Sequence, residues 1–143
     1  DDFIAAAKPY ISEDYADITL EVNTKWISGI ENNGYGIMFR DTGAGNEQYR
    51  FGINKQGSYF LALGTTMLVD WTASTFINQA GWNELKVQCV GSDIECYIND
   101  TEVVNISNSA LISGEIYLFV ANRQTVHFDD YTCLYWLRVD IGA

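Results

Sequence analysis

Arg40 and Arg50 are half of the arginines in a chain whose formal net charge is −11. Arg40 closes and Arg50 lies within an alternating segment, Tyr35 to Arg40 and Gln48 to Asn54 respectively, in which successive side chains must leave opposite faces of a pleated strand. If Phe39, Phe51, Ile53, Tyr59, Leu61, Ile116 and Leu118 form the core, the opposite face carries Met38, Arg40, Arg50, Asn54, Phe60, Tyr117 and Phe119. Two guanidiniums beside Tyr117 and Phe119 are equipped to grip hydroxyls or a carboxylate while a ring lies under an apolar sugar face. Arg40, Arg50, Asn54, Tyr117 and Phe119 are therefore the candidate ligand-binding residues. The same residues also fit a solvated face on which Arg40 and Arg50 pair with acids such as Glu115, and exposed ion pairs of that kind are common. Trp71 and Trp82 read as core or hairpin plugs rather than sugar platforms.

Signals for catalysis are missing. Glu13, Asp14 and Asp17 lie close together but precede a strand rather than alternate along one. The single His127 stands between Val126 and Phe128 and should face away from both. No nucleophile elbow occurs. For a cation, Asp41-Thr-Gly-Ala-Gly-Asn-Glu47 and Asp129-Asp130 offer hard oxygen ligands, yet neither has EF-hand spacing and turn formation explains the first equally well. The expectation is no catalytic residue, no metal ligand set and no cofactor, with calcium as the weak exception. Asn99-Asp-Thr101 and Asn105-Ile-Ser107 match the N-glycosylation sequon, a short motif that also arises by chance.

Charge excludes some partners. Nineteen acids against eight Lys and Arg repel nucleic acid and anionic lipid. No apolar run approaches the ~20 residues needed to cross a bilayer as a helix. The chain begins Asp-Asp-Phe without Met and reads as a mature or trimmed segment, with an extracellular or cell-surface location expected. Three cysteines leave two readings open. A turn at Ser92-Asp93 places Cys89 opposite Cys96, either as a cross-strand disulfide or as two small core residues. Cys133 is then the odd one out, buried or paired with another chain.

The elements that position these residues are strands. Asp17 to Ile27 alternates Ile18, Leu20 and Val22 against Thr19, Glu21 and Asn23. Tyr59 to Leu63 follows the Gln56-Gly57 turn. Leu68 to Gly81 reads as a long connection with a helical turn. Two hairpins follow: Leu85, Val87 and Cys89 alternate with polar residues, as do Ile94, Cys96 and Ile98, with turns at Gly91 to Asp93 and Asn99-Asp100. Glu115 to Ala121 is another strand. Gln124 to Arg138 closes the chain, with Asp129-Asp130 interrupting the alternation as a bulge does. About nine short strands with frequent turns predict an all-β, antiparallel two-sheet sandwich. Residues 1–15 read as an N-terminal arm or edge strand and 16–143 as the sandwich domain.

Gly34-Tyr-Gly-Ile-Met-Phe-Arg40, Tyr49-Arg-Phe-Gly-Ile53, Gly57-Ser-Tyr-Phe-Leu61, Trp71, Gly81-Trp-Asn-Glu-Leu-Lys-Val87, Ile94-Glu-Cys-Tyr-Ile-Asn99, Gly114-Glu-Ile-Tyr-Leu118 and Val126-His-Phe-Asp-Asp-Tyr131 follow one another in an order that resembles the concanavalin A-like lectin/glucanase superfamily. It is most similar to the laminin-G-like jelly-roll domains of bacterial and archaeal surface proteins, over Ala16 to Tyr131. The resemblance implies two curved antiparallel sheets and, in many members, carbohydrate binding on the concave face or its rim. Glycosidases of the superfamily carry Glu-x-Asp-x-Glu-type runs, which this chain lacks. The N-terminal portion is shorter than usual, and Asp100 stands where Gly is frequent. The expected function is a non-catalytic, extracellular carbohydrate-binding, lectin-like module. The alternative is a structural subunit of a surface or filament assembly, joined by insertion of residues 1–15 as a strand into a neighbour. A glycoside-active enzyme is a third reading.

Overall fold

The computed structural model describes residues 4–7 and 14–135, and every regular element among them is a strand. Eleven strands form: β1 (Ile4–Ala7), β2 (Ile18–Gly29), β3 (Tyr35–Asp41), β4 (Tyr49–Ile53), β5 (Ser58–Leu63), β6 (Thr66–Ala73), β7 (Trp82–Val90), β8 (Asp93–Ile98), β9 (Thr101–Ser107), β10 (Glu115–Ala121) and β11 (Gln124–Tyr135). They build two antiparallel sheets, a six-stranded one ordered β1-β10-β3-β4-β5-β6 and a five-stranded one ordered β11-β2-β7-β8-β9. This is the jelly-roll sandwich expected from the alternation.

The five-stranded sheet keeps its period cleanly. Ile18, Leu20 and Val22 of β2, Leu85, Val87 and Cys89 of β7, and Ile94, Cys96 and Ile98 of β8 are all buried, while the intervening residues reach solvent. They pack against Ile37, Phe39, Phe51, Ile53, Leu61 and Ile116 of the six-stranded sheet. His127 faces outward, as its neighbours Val126 and Phe128 pack inward. The six-stranded sheet is also covered on its outer side. There Met38, Phe60, Ala62 and Phe119 form a second buried cluster with Tyr117 against it.

Four expectations need correction or completion. Leu68 to Gly81 is no long connection: β6 occupies its first part and no helical turn forms. Strand β6 is an edge strand whose pairing to β5 slips twice, between Tyr59 and Leu61 and between Leu61 and Ala62, so no clean alternation marks it. The β7–β8 turn is Gly91-Ser92, with Val90 opposite Asp93. Gly91 at φ 57° takes the first central position, where a two-residue hairpin wants a positive φ. That register sets Cys89 opposite Ile94 and Cys96 opposite Val87. A diagonal pair of this kind lies at about 7–8 Å, beyond the span of a disulfide. Both thiols are free and buried, and Cys133 is a free, half-buried thiol. Within residues 1–15, β1 pairs with β10 of its own chain, Ile4 opposite Ala121 through Ala7 opposite Leu118, and residues 1–3 and 8–13 of the expected arm or edge strand lie outside the described residues.

The bulge expected at Asp129-Asp130 is present. The β11–β2 register shifts between Asp129 and Thr132, and Asp130 adopts φ 53°. A second bulge, in β3, was not legible. Glu115 pairs with Asp41 but Tyr117 pairs with Met38, so β3 holds one residue too many for its partner. Arg40 takes the strain, at φ 51°.

Candidate functional site

The β3 bulge decides where Arg40 goes. One inserted residue shifts the side-chain parity, so Arg40 leaves the outer face and turns into the fold, 1% exposed. Its guanidinium donates to Ala16 O (2.9 Å from Nη2, 3.3 Å from Nε) and to Leu111 O (3.0 Å from Nη1). Asp17 lies 4.0 Å away. Arg40 is thus a clamp on two connecting segments, and its expected place beside Arg50 on the sheet face is overturned. Asn54 is also withdrawn. It is buried in the β4–β5 hairpin, where Oδ1 accepts from Ser58 N (3.0 Å) and Nδ2 donates to Asn32 O (3.5 Å).

Arg50, Tyr117 and Phe119 do share the outer face, and strand register explains how. Two adjacent rows cross four strands. In one, Phe119 of β10, Gly36 of β3, Gly52 of β4 and Phe60 of β5 stand in line. In the next, Tyr117, Met38, Arg50 and Ala62 do so. The two central glycines of the first row leave empty space between the flanking phenylalanines. Their rings lean in from both sides until the centroids are 6.2 Å apart in an edge-on arrangement. A Cβ on Gly52 would stand 2.9 Å from each of these rings. The Arg50 guanidinium lies over both, 5.8 Å from the Phe60 centroid and 5.9 Å from that of Phe119, and its Nη2 donates to Gly64 O at 3.2 Å. A cation so placed is attracted by the negative ring faces and held in one orientation.

Trp71 of β6 completes the wall. Its ring centroid is 4.6 Å from that of Phe60, and 41% of the residue is exposed. Gly34 makes this contact possible, because a Cβ there would come within 2.7 Å of Phe60 and 3.3 Å of Trp71. These groups enclose a trough of about 330 Å³, with Phe60 and Phe119 as floor, Trp71 and Met67 at one side, Arg50 at one end, and Asn32 and Asn33 on the rim. The rim is tied down: Asn33 Nδ2 donates to Asn122 O (2.6 Å), and Gln124 Nε2 donates to Gly34 O (2.9 Å). Tyr117 stands outside the trough, its hydroxyl donated to Glu115 Oε2 at 2.7 Å, a bond that raises the phenol's pKa.

Of the expected residues, Arg50 and Phe119 line the trough and Tyr117 stands beside it, while Trp71, Met67, Asn32 and Asn33 line it without having been singled out as site residues in the sequence. Phe60 was assigned to the correct face but not to the site. The Trp71 misreading follows from the unrecognised β6. Among the described residues, no carboxylate, imidazole or thiol lines the trough, and no group of three His, Cys, Asp or Glu is arranged to hold a metal ion. The loop acids that suggested calcium make turns: Asp41 Oδ1 accepts from Gly43 N (2.8 Å) and Glu47 Oε2 from the Thr42 hydroxyl (2.6 Å). Asp130 Oδ2 accepts from Asn23 Nδ2 at the β11 bulge (3.1 Å). Of the two sequon asparagines, Asn99 has its amide engaged, donating to Phe76 O and to Asn83 Oδ1 (2.8 and 3.0 Å), whereas Asn105 is exposed on β9.

The two antiparallel sheets of the jelly roll form a concanavalin A-like fold. The chain belongs to the family of 3-keto-alpha-glucoside-1,2-lyase-like domains, whose model matches residues 7–133. No curated protein sequence matches it. Among solved structures it is similar to the carbohydrate-binding module CBM66 from Bacillus subtilis (TM-score 0.71, 19% identity, 85% of this chain and 77% of that one). It is also similar to sheep galectin-11 solved with glycerol (0.60, 9%, 92% and 96%). A third is the fructosyltransferase of A. japonicus (0.68, 12%, 96% and 26%), of which this chain spans about a quarter. At these identities the likeness is one of fold.

Proposed function

We propose that the chain is a non-catalytic carbohydrate-binding module that works outside the cell, with the Phe60–Phe119–Trp71 trough as its sugar site. The observation that carries this reading is an exposed indole packed at a tilt against the buried Phe60 ring, which in turn meets Phe119 edge-on, with a guanidinium and two asparagines around them. Sugars present an apolar face of C–H groups and an edge of hydroxyls. An aromatic wall takes the first, and a few fixed polar groups orient the second. The carbohydrate-binding module and the galectin among its structural neighbours support the same class of ligand. The family's name points instead to lyase chemistry on a keto-glucoside. Such an elimination needs a base to take the proton next to the ketone, placed within hydrogen-bond reach. Among the described residues the trough offers none, which favours binding over turnover.

A glycan array followed by calorimetry on the best ligands tests the proposal. Binding that falls at least tenfold in Trp71→Ala is expected, equivalent to about 1.4 kcal/mol. Absence of binding across the array, or binding indifferent to Trp71→Ala, overturns it. Release of reducing or unsaturated sugar by the purified chain overturns the non-catalytic part alone.

A further inference from the structure

Resting on the carbohydrate reading, we infer that Asp70 is a positioning residue for the sugar site, locking a bulge in β6 that turns the Trp71 indole onto the trough. Strand register defines the bulge. Tyr59 of β5 stands opposite Thr72 of β6 and Leu61 opposite Val69, so Phe60 alone faces two residues, Asp70 and Trp71. Phe60 lies on the outer side of its sheet with Met38, Ala62 and Phe119. Regular pairing sets one side chain beside such a residue, and an inserted residue increases the local twist and re-aims its neighbours. Trp71 is the side chain so delivered: its ring centroid stands 4.6 Å from that of Phe60, with the planes tilted by 51°.

Among the described residues β6 is an edge strand, with no neighbour on its far side to hold such a distortion in shape. Its own side chains hold it instead. Asp70 Oδ1 accepts from Trp71 N at 2.7 Å, and the Thr72 hydroxyl donates to Asp70 O at 2.7 Å. Both bonds grip the same peptide unit, the one joining Asp70 to Trp71, at its N–H and at its carbonyl. The plane of that unit sets the direction in which the Trp71 side chain leaves the strand. A carboxylate acceptor makes the N–H bond the stronger of the two. Asp70 itself is exposed and does not line the trough, so it acts on a sugar through Trp71. Trp71 is 41% exposed, and a ring fixed beforehand loses less freedom when a sugar stacks on it. The carboxylate also puts a charge on an open edge, which discourages strand pairing. That role needs the charge, whereas positioning needs only an acceptor.

A double-mutant cycle between Asp70 and Trp71 on the whole 143-residue chain tests this. Calorimetry reads it with sugar probes: methyl glycosides of glucose, galactose, mannose and fructose, with maltose, cellobiose, lactose and sucrose. Asp70→Ala should weaken the best-bound probe about three- to tenfold, and by less than about twofold when Trp71 is already Ala. Asp70→Asn keeps an acceptor oxygen and loses the charge, so it should bind within about twofold of the parent chain. Thr72→Val, which frees the other end of the peptide unit, should weaken binding in the same direction. Nuclear magnetic resonance gives a readout without sugar. The indole N–H signal that disappears in Trp71→Ala should shift and report a more mobile ring in Asp70→Ala, but not in Asp70→Asn. Urea unfolding confirms that each variant is folded. If Trp71→Ala weakens binding and Asp70→Ala does not, the trough stands and the positioning role is overturned. A loss from Asp70→Ala that persists without Trp71, or an equal loss in Asp70→Asn, also overturns it, because the charge then acts on the sugar directly. If no probe binds the parent chain, the carbohydrate reading falls, and the indole signal still decides whether Asp70 positions Trp71.

Discussion

Replacing Arg40 with Ala removes a guanidinium that is sealed inside the fold and donates three hydrogen bonds to two carbonyl oxygens, Ala16 O and Leu111 O. The two carbonyls lie in connecting segments, one leading into β2 and one between β9 and β10, which a single antiparallel bridge from Tyr15 to Gly114 joins to each other. Hydrogen bonds from a charged donor contribute about 1.5–3 kcal/mol each, but Ala16 O takes two of these and water can enter the vacated space. The contact with Asp17 adds little, because it is at 4.0 Å and the carboxylate side is partly exposed. The expected loss is about 3–5 kcal/mol, a large share of the ~5–15 kcal/mol available to a domain of this kind. Arg40→Gly loses the same bonds yet relieves the left-handed backbone at φ 51°, so it should be about 1 kcal/mol more stable than Arg40→Ala. Urea unfolding followed by tryptophan fluorescence reads both. The m-value should stay constant, since the same surface is exposed on unfolding. A loss under about 1 kcal/mol in Arg40→Ala would refute the clamp. If that variant kept its stability and lost sugar binding, Arg40 would belong on the outer face after all.

Other perturbations follow from the same geometry. Gly52→Ala sets a methyl 2.8 Å from Tyr35 O and 2.9 Å from the Phe60 and Phe119 rings, so it should cost about 1–3 kcal/mol in urea unfolding and weaken sugar binding by spreading the trough floor. Trp71→Ala, on an edge strand and 41% exposed, should weaken sugar binding while moving stability by less than about 1 kcal/mol. Burial pushes the Cys89 thiol from 9.0 up to about 12 and the Tyr35 phenol from 10.0 up to about 12. The folded chain therefore keeps protons that the unfolded chain releases, so stability is intact below pH 9 and falls as pH rises toward 12, by about 1.4 kcal/mol per pH unit for each group once past its unfolded pKa. Urea midpoints between pH 8 and 11 should show the decline and Cys89→Ala should make it shallower. A thiol reagent at pH 8 should leave Cys89 and Cys96 unmodified until urea unfolds the chain.

Where one strand's pattern was enough, the sequence was readable. β2, β7 and β8 each alternate because one face meets the core and the other does not, and this is a property of single strands. Asn99-Asp100 was readable as a turn because both residues tolerate positive φ, and they adopt 48° and 68°. Gly91-Ser92 against Ser92-Asp93 was a choice between two acceptable turns, and a slip of one residue separated two cysteines that would otherwise have faced each other. β6 escaped because an edge strand with two register shifts has no consistent inner face: Met67, Trp71 and Asp70 are exposed, and Leu68 and Val69 half-buried.

The site shows where such reading must stop. Parity carried from Met38 to Arg40 assumes an unbroken pleat, and the extra residue in β3 breaks it between the two. Nothing in Met-Phe-Arg-Asp announces that break, because the demand comes from Glu115 and Tyr117 on another strand. Parity carried along β4 meets no bulge, so Arg50 is where alternation puts it. The trough itself is a property of rows, not strands. Gly36 and Gly52 look like weak strand residues one at a time, each lacking a side chain to pack. Set opposite each other, they become the gap into which Phe60 and Phe119 lean, and that gap gives Arg50 its aromatic bed. Substituting Gly52 should therefore act on the trough as well as on its strand, whereas a Cβ at Gly36 would run into Phe51 O and act on the β3–β4 pairing instead.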